Sequence, residues 1–226
     1  MDHKKTTFEI THTKCYNNPV LQDYNRGVVL IILGIDPGTA RCGLGIIEKT
    51  GNKLTTVSYG LIESDKDRPH PERLEVIFSE VTRSIKRHKP DLVAVEKLFF
   101  SKNVKTAMSV GEARGVILLA AQLAGVEIRE FSPMDVKLAL TGYGLADKNQ
   151  VMQMTRAILC LKEIPKPDDV ADALAIAVCC ASSSKMDGIV KNAGKRENWK
   201  SLGDKRLEPK VRQSIRDKSK EHKVEL

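Results

Sequence analysis

Val28-Val29-Leu30-Ile31-Ile32-Leu33-Gly34-Ile35-Asp36-Pro37-Gly38 is the stretch from which the fold can be read. Val28 to Ile35 has no charged or polar break and is rich in β-branched residues, as a strand buried on both faces would be. It ends abruptly on a carboxylate, and Pro37-Gly38 turns the chain at once. The apolar run is long enough for a signal-peptide core. However, 27 mixed-charge residues precede it and an Asp closes it, so it reads as a strand.

Downstream, Leu44 to Glu48 and Leu54 to Ile62 read as two further strands of an antiparallel meander, with Gly51-Asn52 as the turn. Pro71 opens a helix whose Leu74, Ile77, Val81 and Ile85 form one buried face, and Pro90 stops it. Leu92 to Val95 is a short central strand ending at Glu96. Asn103 to Ala124 is a long helix with Gly111 and Gly115 four apart, so that something can approach it closely, and Gly125 caps its end. Val126 to Phe131 is a fifth strand, and Ser132-Pro133 opens a short helix. After the loop Gly142-Tyr143-Gly144, Asp147 is the expected N-cap of a helix to about Leu161. A last apolar helix runs from Asp168, as N-cap, to about Ala181. The order βββαβαβααα predicts a mixed α/β domain with helices packed on a central sheet.

Three regions are expected: residues 1–29 as an extension outside the fold, disordered or the product of an early start codon; residues 30–184 as the folded domain; and residues 185–226 as a basic tail. The net charge is +8, and the tail holds 13 Lys/Arg against 7 Asp/Glu while the predicted domain is nearly balanced. Such a tail favours a polyanion through counterion release; the plainer reading is a solvated terminus. Cys15, Cys42, Cys160, Cys179 and Cys180 include no CxxC and have no His at metal spacing, which argues against zinc and fits a reducing cytoplasm. No apolar run reaches the length of a membrane span.

The chemistry lies in four acids. Asp36 and Glu96 end two apolar strands. If these are parallel neighbours, both carboxylates face the crevice where open α/β sheets hold ligands. Asp169 and Asp172, three apart, project from one face of the last helix. Each has a plainer reading. Asp36 suits an Asp-Pro-Gly turn, and acids in a first helical turn are favoured by the helix dipole. Four buried acids gathered at one rim repel each other and lose hydration, so the cluster calls for a cation, and magnesium is the hard ion that prefers such ligands.

Ile32-Leu33-Gly34-Ile35-Asp36-Pro37-Gly38, Val95-Glu96-Lys97-Leu98-Phe99-Phe100, Gly111-Glu112-Ala113-Arg114-Gly115-Val116 and Asp169-Val170-Ala171-Asp172-Ala173-Leu174-Ala175-Ile176-Ala177 together resemble the RuvC family of Holliday junction resolvases, in order and approximate spacing. The resemblance covers about Leu30 to Ser184. It implies an RNase H-like fold, with a central mixed five-stranded sheet and helices on both faces. It implies a homodimer that nicks four-way DNA junctions symmetrically, with 5′-phosphate and 3′-hydroxyl ends, in recombination and repair. The family's catalytic and metal-binding acids fall on Asp36, Glu96, Asp169 and Asp172, with two magnesium ions expected per site and manganese able to substitute. The doubled Asp168-Asp169 leaves two choices, of which the spacing to Asp172 favours Asp169.

Phe99 falls where the family stacks an aromatic on unpaired bases, although Phe99 or Phe100 could equally be core. Lys137 and Lys148 match basic residues near the scissile phosphate; the plainer reading is a solvated charge for each. Arg114, inside an apolar helix, could serve a dimer or DNA. RuvA and RuvB are the partners the family implies. The rival readings are an RNase H-like nuclease acting on RNA (YqgF-type) and a catalytically inactive DNA-binding module. An actin-like ATPase needs two such domains and far more chain.

Overall fold

The computed structural model describes residues 7–9, 29–98 and 104–183. Its strands are β1 (Thr7–Glu9), β2 (Val29–Asp36), β3 (Arg41–Thr50), β4 (Lys53–Glu63), β5 (Leu92–Glu96) and β6 (Glu127–Phe131). Its helices are α1 (His70–His88), α2 (Val104–Leu123), α3 (Pro133–Thr141), α4 (Lys148–Ile158) and α5 (Asp168–Ser182). The sheet order is β1-β4-β3-β2-β5-β6. The long hairpin of β3 and β4 pairs antiparallel beside β2, whereas β2, β5 and β6 run parallel.

The five expected strands form the mixed sheet, and β1 adds a short sixth at its edge. Thr7–Glu9 lies in the segment expected to be outside the fold; instead Thr7 pairs antiparallel with Leu61 and Glu9 with Tyr59 of β4. The edge of β4 presents unpaired backbone groups, and three extended residues satisfy some of them. That pairing left no signal in the hydrophobic pattern. The rest of residues 1–28 and the basic tail lie outside the described residues.

The uninterrupted apolar run of β2 follows from its position in mid-sheet with both faces covered. On one face Leu33, Ile35, Val93 and Val95 pack with Ile77, Val81 and Ile85 of α1 and with Ala113, Ile117 and Ala121 of α2. On the other, Ile32, Ile47, Leu92 and Ala94 pack against α5, with Val136, Leu140 and Val151 from α3 and α4 alongside. Alternate residues of each strand feed opposite cores, as the period of two requires.

Helix α5 is nearly all inside: every residue from Ala173 to Ala181 is buried. Between those apolar side chains, the floor beneath its backbone is glycine. A Cβ at Gly34 would stand 2.1 Å from the carbonyl oxygen of Ala173, and one at Gly43 would stand 1.9 Å from that of Asp169. Small residues on both surfaces therefore bring the helix axis closer to β2 and β3 than any larger pair would allow.

Gly34→Ala should cost at least about 2 kcal/mol in urea unfolding, because the clash is with backbone that cannot rotate away. Gly115→Ala, with nothing within 4 Å of its added Cβ, should instead gain about 0.5–1 kcal/mol as an ordinary helical substitution. Equal effects at the two positions would mean that α5 does not rest on this floor.

Candidate active site

Asp36 and Glu96 are the last residues of β2 and β5, and the parallel pairing of Ile35 with Val95 brings both carboxylates to one rim. The antiparallel partner of Asp36 is Gly43. Because Gly43 has no side chain, the backbone of Asp169 settles directly over it. Asp172 follows within the first turns of α5. Three separate elements thus deliver four acids to the same place, and each acid is partly buried.

Their mutual influence is strong. Burial, followed by the charges of Glu96, Asp172 and Asp169, raises the Asp36 carboxyl to about 8, and a hydrogen bond with Glu96 adds to this. Burial and then the charge of Asp172 raise Glu96, while its bond with Asp36 and the charge of Lys148 act the other way. Burial also raises Asp172, against the opposing hydrogen bond and charge of Lys148. In neutral solution without metal, Asp36 therefore keeps its proton and donates it to Glu96.

Lys148 opens α4. Asp147 accepts from the backbone N–H of Gln150 and donates its own backbone N–H to Gln150 Oε1, so the predicted cap is present as a capping box. From there Lys148 Nζ lies 3.0 Å from Asp172 Oδ2 and 3.3 Å from Asp168 Oδ2. Burial disfavours its charge, but the bonds to Asp172 and Asp168 outweigh that and hold its pKa above the ordinary value.

The expectation that Asp168 caps α5 is corrected. Pro167 occupies the N-cap and Asp168 is the first helical residue, making no capping bond. Its carboxylate meets Lys148 instead, an attraction the sequence pattern does not show. Asp169 is the member of the doubled pair that joins the carboxylate cluster. Lys137, on α3, forms no ion pair with the acids among the described residues. Phe99 and Phe100 lie outside the described residues.

Two arginines complete the surroundings. Arg114 of α2 donates from Nε to the carbonyl of Glu96 at 3.1 Å, and its other arm meets Glu130 Oε2 at 2.6 Å. It ties the ends of β5 and β6 together behind Glu96, a structural role that the sequence left open. Arg41 Nε is 3.2 Å from Asp169 Oδ2. That oxygen is buried and accepts no hydrogen bond, so the contact is one of charge without bond alignment. Sequence reading missed Arg41. The available signal was its place two residues before Gly43, opposite the end of β2.

Among the described residues no three His, Cys, Asp or Glu side chains close into a ready metal cage. The donors nevertheless suit a hard divalent cation: four carboxylates, one retaining a proton because of burial and the charges of the others, and one buried oxygen without a hydrogen bond. A neighbouring cavity of about 580 Å³, between β4 and residues 163–167, contains Arg41 and none of the four acids.

The family model for RuvC, the crossover junction endodeoxyribonuclease, matches residues 32–180. The RuvC of Heliobacterium modesticaldum is 54% identical over 154 residues, covering 68% of this chain and 95% of that protein. A structure of Thermus thermophilus RuvC is 40% identical, with a TM-score of 0.65 over 70% of this chain and 96% of that one. Another, of T. thermophilus RuvC in complex with Holliday junction substrate, is 37% identical with a TM-score of 0.63 and the same coverage.

Asp36 has a folded-state pKa near 8, well above that of an unfolded aspartate. Between the two values the folded protein binds a proton that the unfolded chain has released, so stability falls as pH rises through this window. In EDTA, the wild-type Tm should fall by several degrees from pH 5 to pH 9, and Asp36→Asn should flatten the slope and raise Tm at the alkaline end. A wild-type melt that does not change with pH would contradict the shared proton.

Proposed function

The chain belongs to the RuvC family of crossover junction endodeoxyribonucleases, and on that footing we propose that it resolves four-way (Holliday) DNA junctions by paired symmetrical nicks. The products carry 5′-phosphate and 3′-hydroxyl ends that a ligase can seal. The observation that carries this reading is the convergence of Asp36, Glu96, Asp169 and Asp172 at one rim, with Lys148 against them.

The four acids would hold the metal, two magnesium ions per site in our reading, with manganese able to substitute. When bound, magnesium supplies acidity to form a nucleophile from water and positive charge for the leaving 3′-oxygen. Burial makes negative charge on the acids costly until a cation shares the site. Asp36 gives up the proton it shares with Glu96 before both can act as ligands. Lys148 offsets charge that accumulates on the phosphate in the transition state, and Asp169 or Asp172 accepts the proton of the attacking water. Lys137 is assigned to the DNA backbone and Phe99 to stacking on unpaired bases at the crossover.

A homodimer would place two such sites on strands of like polarity. Helix α2 offers a surface for it, where Met108 and Leu119 are exposed. The division into an extension, a nuclease domain at 30–184 and a basic tail is retained as part of the proposal, with β1 as the one described part of the extension. RuvA and RuvB are the proposed branch-migration partners. No helix among the described residues is long and apolar enough to cross a membrane, and Cys42, Cys179 and Cys180, which form no disulfide among the described residues, fit the proposed reducing cytoplasm.

Cleavage of an end-labelled mobile junction, beside a linear duplex, in magnesium and in EDTA, tests the proposal. Paired nicks should appear only in the junction and only with metal. Asp36→Asn should lower the rate by more than about a hundredfold while sparing junction binding. Cutting of RNA in preference to the junction, or wild-type rates in Asp36→Asn, would overturn the reading. Phe99→Ala should lose cutting more than binding, with 2-aminopurine at the crossover reporting reduced unstacking; an equal loss of both would remove Phe99 from this role.

A further inference from the structure

Arg41 belongs to neither the sequence expectation nor the mechanism above, yet its side chain reaches the catalytic cluster. We infer that Arg41 is an internal counter-ion of the site, occupying Asp169 in the metal-free protein and competing with the divalent cation for that carboxylate. This inference rests on the four acids being metal ligands.

The backbone that carries Arg41 is firmly held. The turn before it is so tight that a Cβ at Gly38 would stand 2.1 Å from the carbonyl of Arg41. Ser64 donates its N–H to the carbonyl of Ala40 at 3.1 Å and its hydroxyl to that of Thr39. Ser109 Oγ donates to Thr39 Oγ1 at 3.1 Å from α2. The guanidinium is therefore launched from a fixed point just beyond the rim where Asp36 ends β2.

The contact itself is of an exchangeable kind. Asp169 Oδ2 is shut off from solvent and accepts no hydrogen bond, so the positive charge 3.2 Å away is what compensates it. The Arg41 side chain is 53% exposed, which leaves room for the guanidinium to swing outward without opening the core. A pair with one solvent-exposed partner is weak, and a divalent ion bound by several carboxylates displaces it. Lys148 differs, because it bridges Asp172 and Asp168 and keeps Asp168 when Asp172 is taken. Arg41 has no second acid among its ion pairs in the described residues. Once displaced it is a free cation at the mouth of a site that accepts a polyanion.

A counter-ion and a structural prop make opposite predictions for metal binding. Removing a prop disorders the ligand and weakens the metal; removing a competitor frees the ligand and strengthens it. Mn²⁺ binding to the full chain, measured by electron paramagnetic resonance without DNA, should tighten about three- to tenfold in Arg41→Gln and Arg41→Ala. Arg41→Lys, which keeps the charge, should stay near wild type. Circular dichroism melts show whether each variant is folded, and the comparison stands on either neutral variant. Unchanged or weaker Mn²⁺ binding in a folded neutral variant overturns the inference. The underlying site reading fails separately: wild-type Mn²⁺ affinity in both Asp36→Asn and Asp169→Asn would show that the acids are not ligands. Reduced affinity in those two, beside no change at Arg41, would overturn the counter-ion role alone.

Discussion

The closeness of α5 to the sheet is the constraint on which the site depends. Gly34 and Gly43 leave no side chain between strand and helix, and the carbonyls of Ala173 and Asp169 fill the space. The buried face of α5 is alanine-rich for the same reason. If the floor carried even methyl groups, the helix would ride higher. Asp169 and Asp172 would then part from Asp36 and Glu96, which belong to the strands and would not follow. Packing density, the most ordinary property of a core, here sets the distance between functional groups on different elements.

That placement has an electrostatic cost. Four carboxylates are brought to one partly buried rim, and Asp36 responds by keeping a proton to about pH 8 and sharing it with Glu96. Lys148 offsets Asp172, and Arg41 offsets Asp169. One proton and two cations thus compensate the cluster. A cluster compensated in this way is one that a hard divalent cation would suit.

The surrounding elements serve this rim at a distance. Arg114 binds the carbonyl at the end of β5 and the carboxylate of Glu130 near the end of β6, so the strand that carries Glu96 is held from behind by α2. The capping box at Asp147 fixes the start of α4 and hence the origin of the Lys148 side chain. Neither interaction touches a reacting atom. Both limit how far a charged side chain can wander, which matters where approach of an ångström changes the interaction substantially.

Much of this was legible in the residues alone. The five main strands, the five helices and their order follow from hydrophobic period, turn residues and caps, because these are local. Asp36, Glu96 and Asp169 stood out because each ends or begins an apolar run, and Asp172 because it lies three residues from Asp169 on one helix face, local signals again. What escaped was non-local. Asp168 looked like a cap, but its partner Lys148 lies on another helix. Arg41 looked like the start of a strand, and its role follows only from Gly43 and Asp169 meeting across the sheet. The pairing of Thr7–Glu9 with the edge of β4 left no periodic mark in three residues. Sequence by itself determined which segments form strands and helices, and which acids stand at their ends, because backbone preference and burial pattern act over a few neighbouring residues. Only the tertiary structure decided which charges meet, because contact between side chains on different elements depends on how closely α5 settles on its glycine floor.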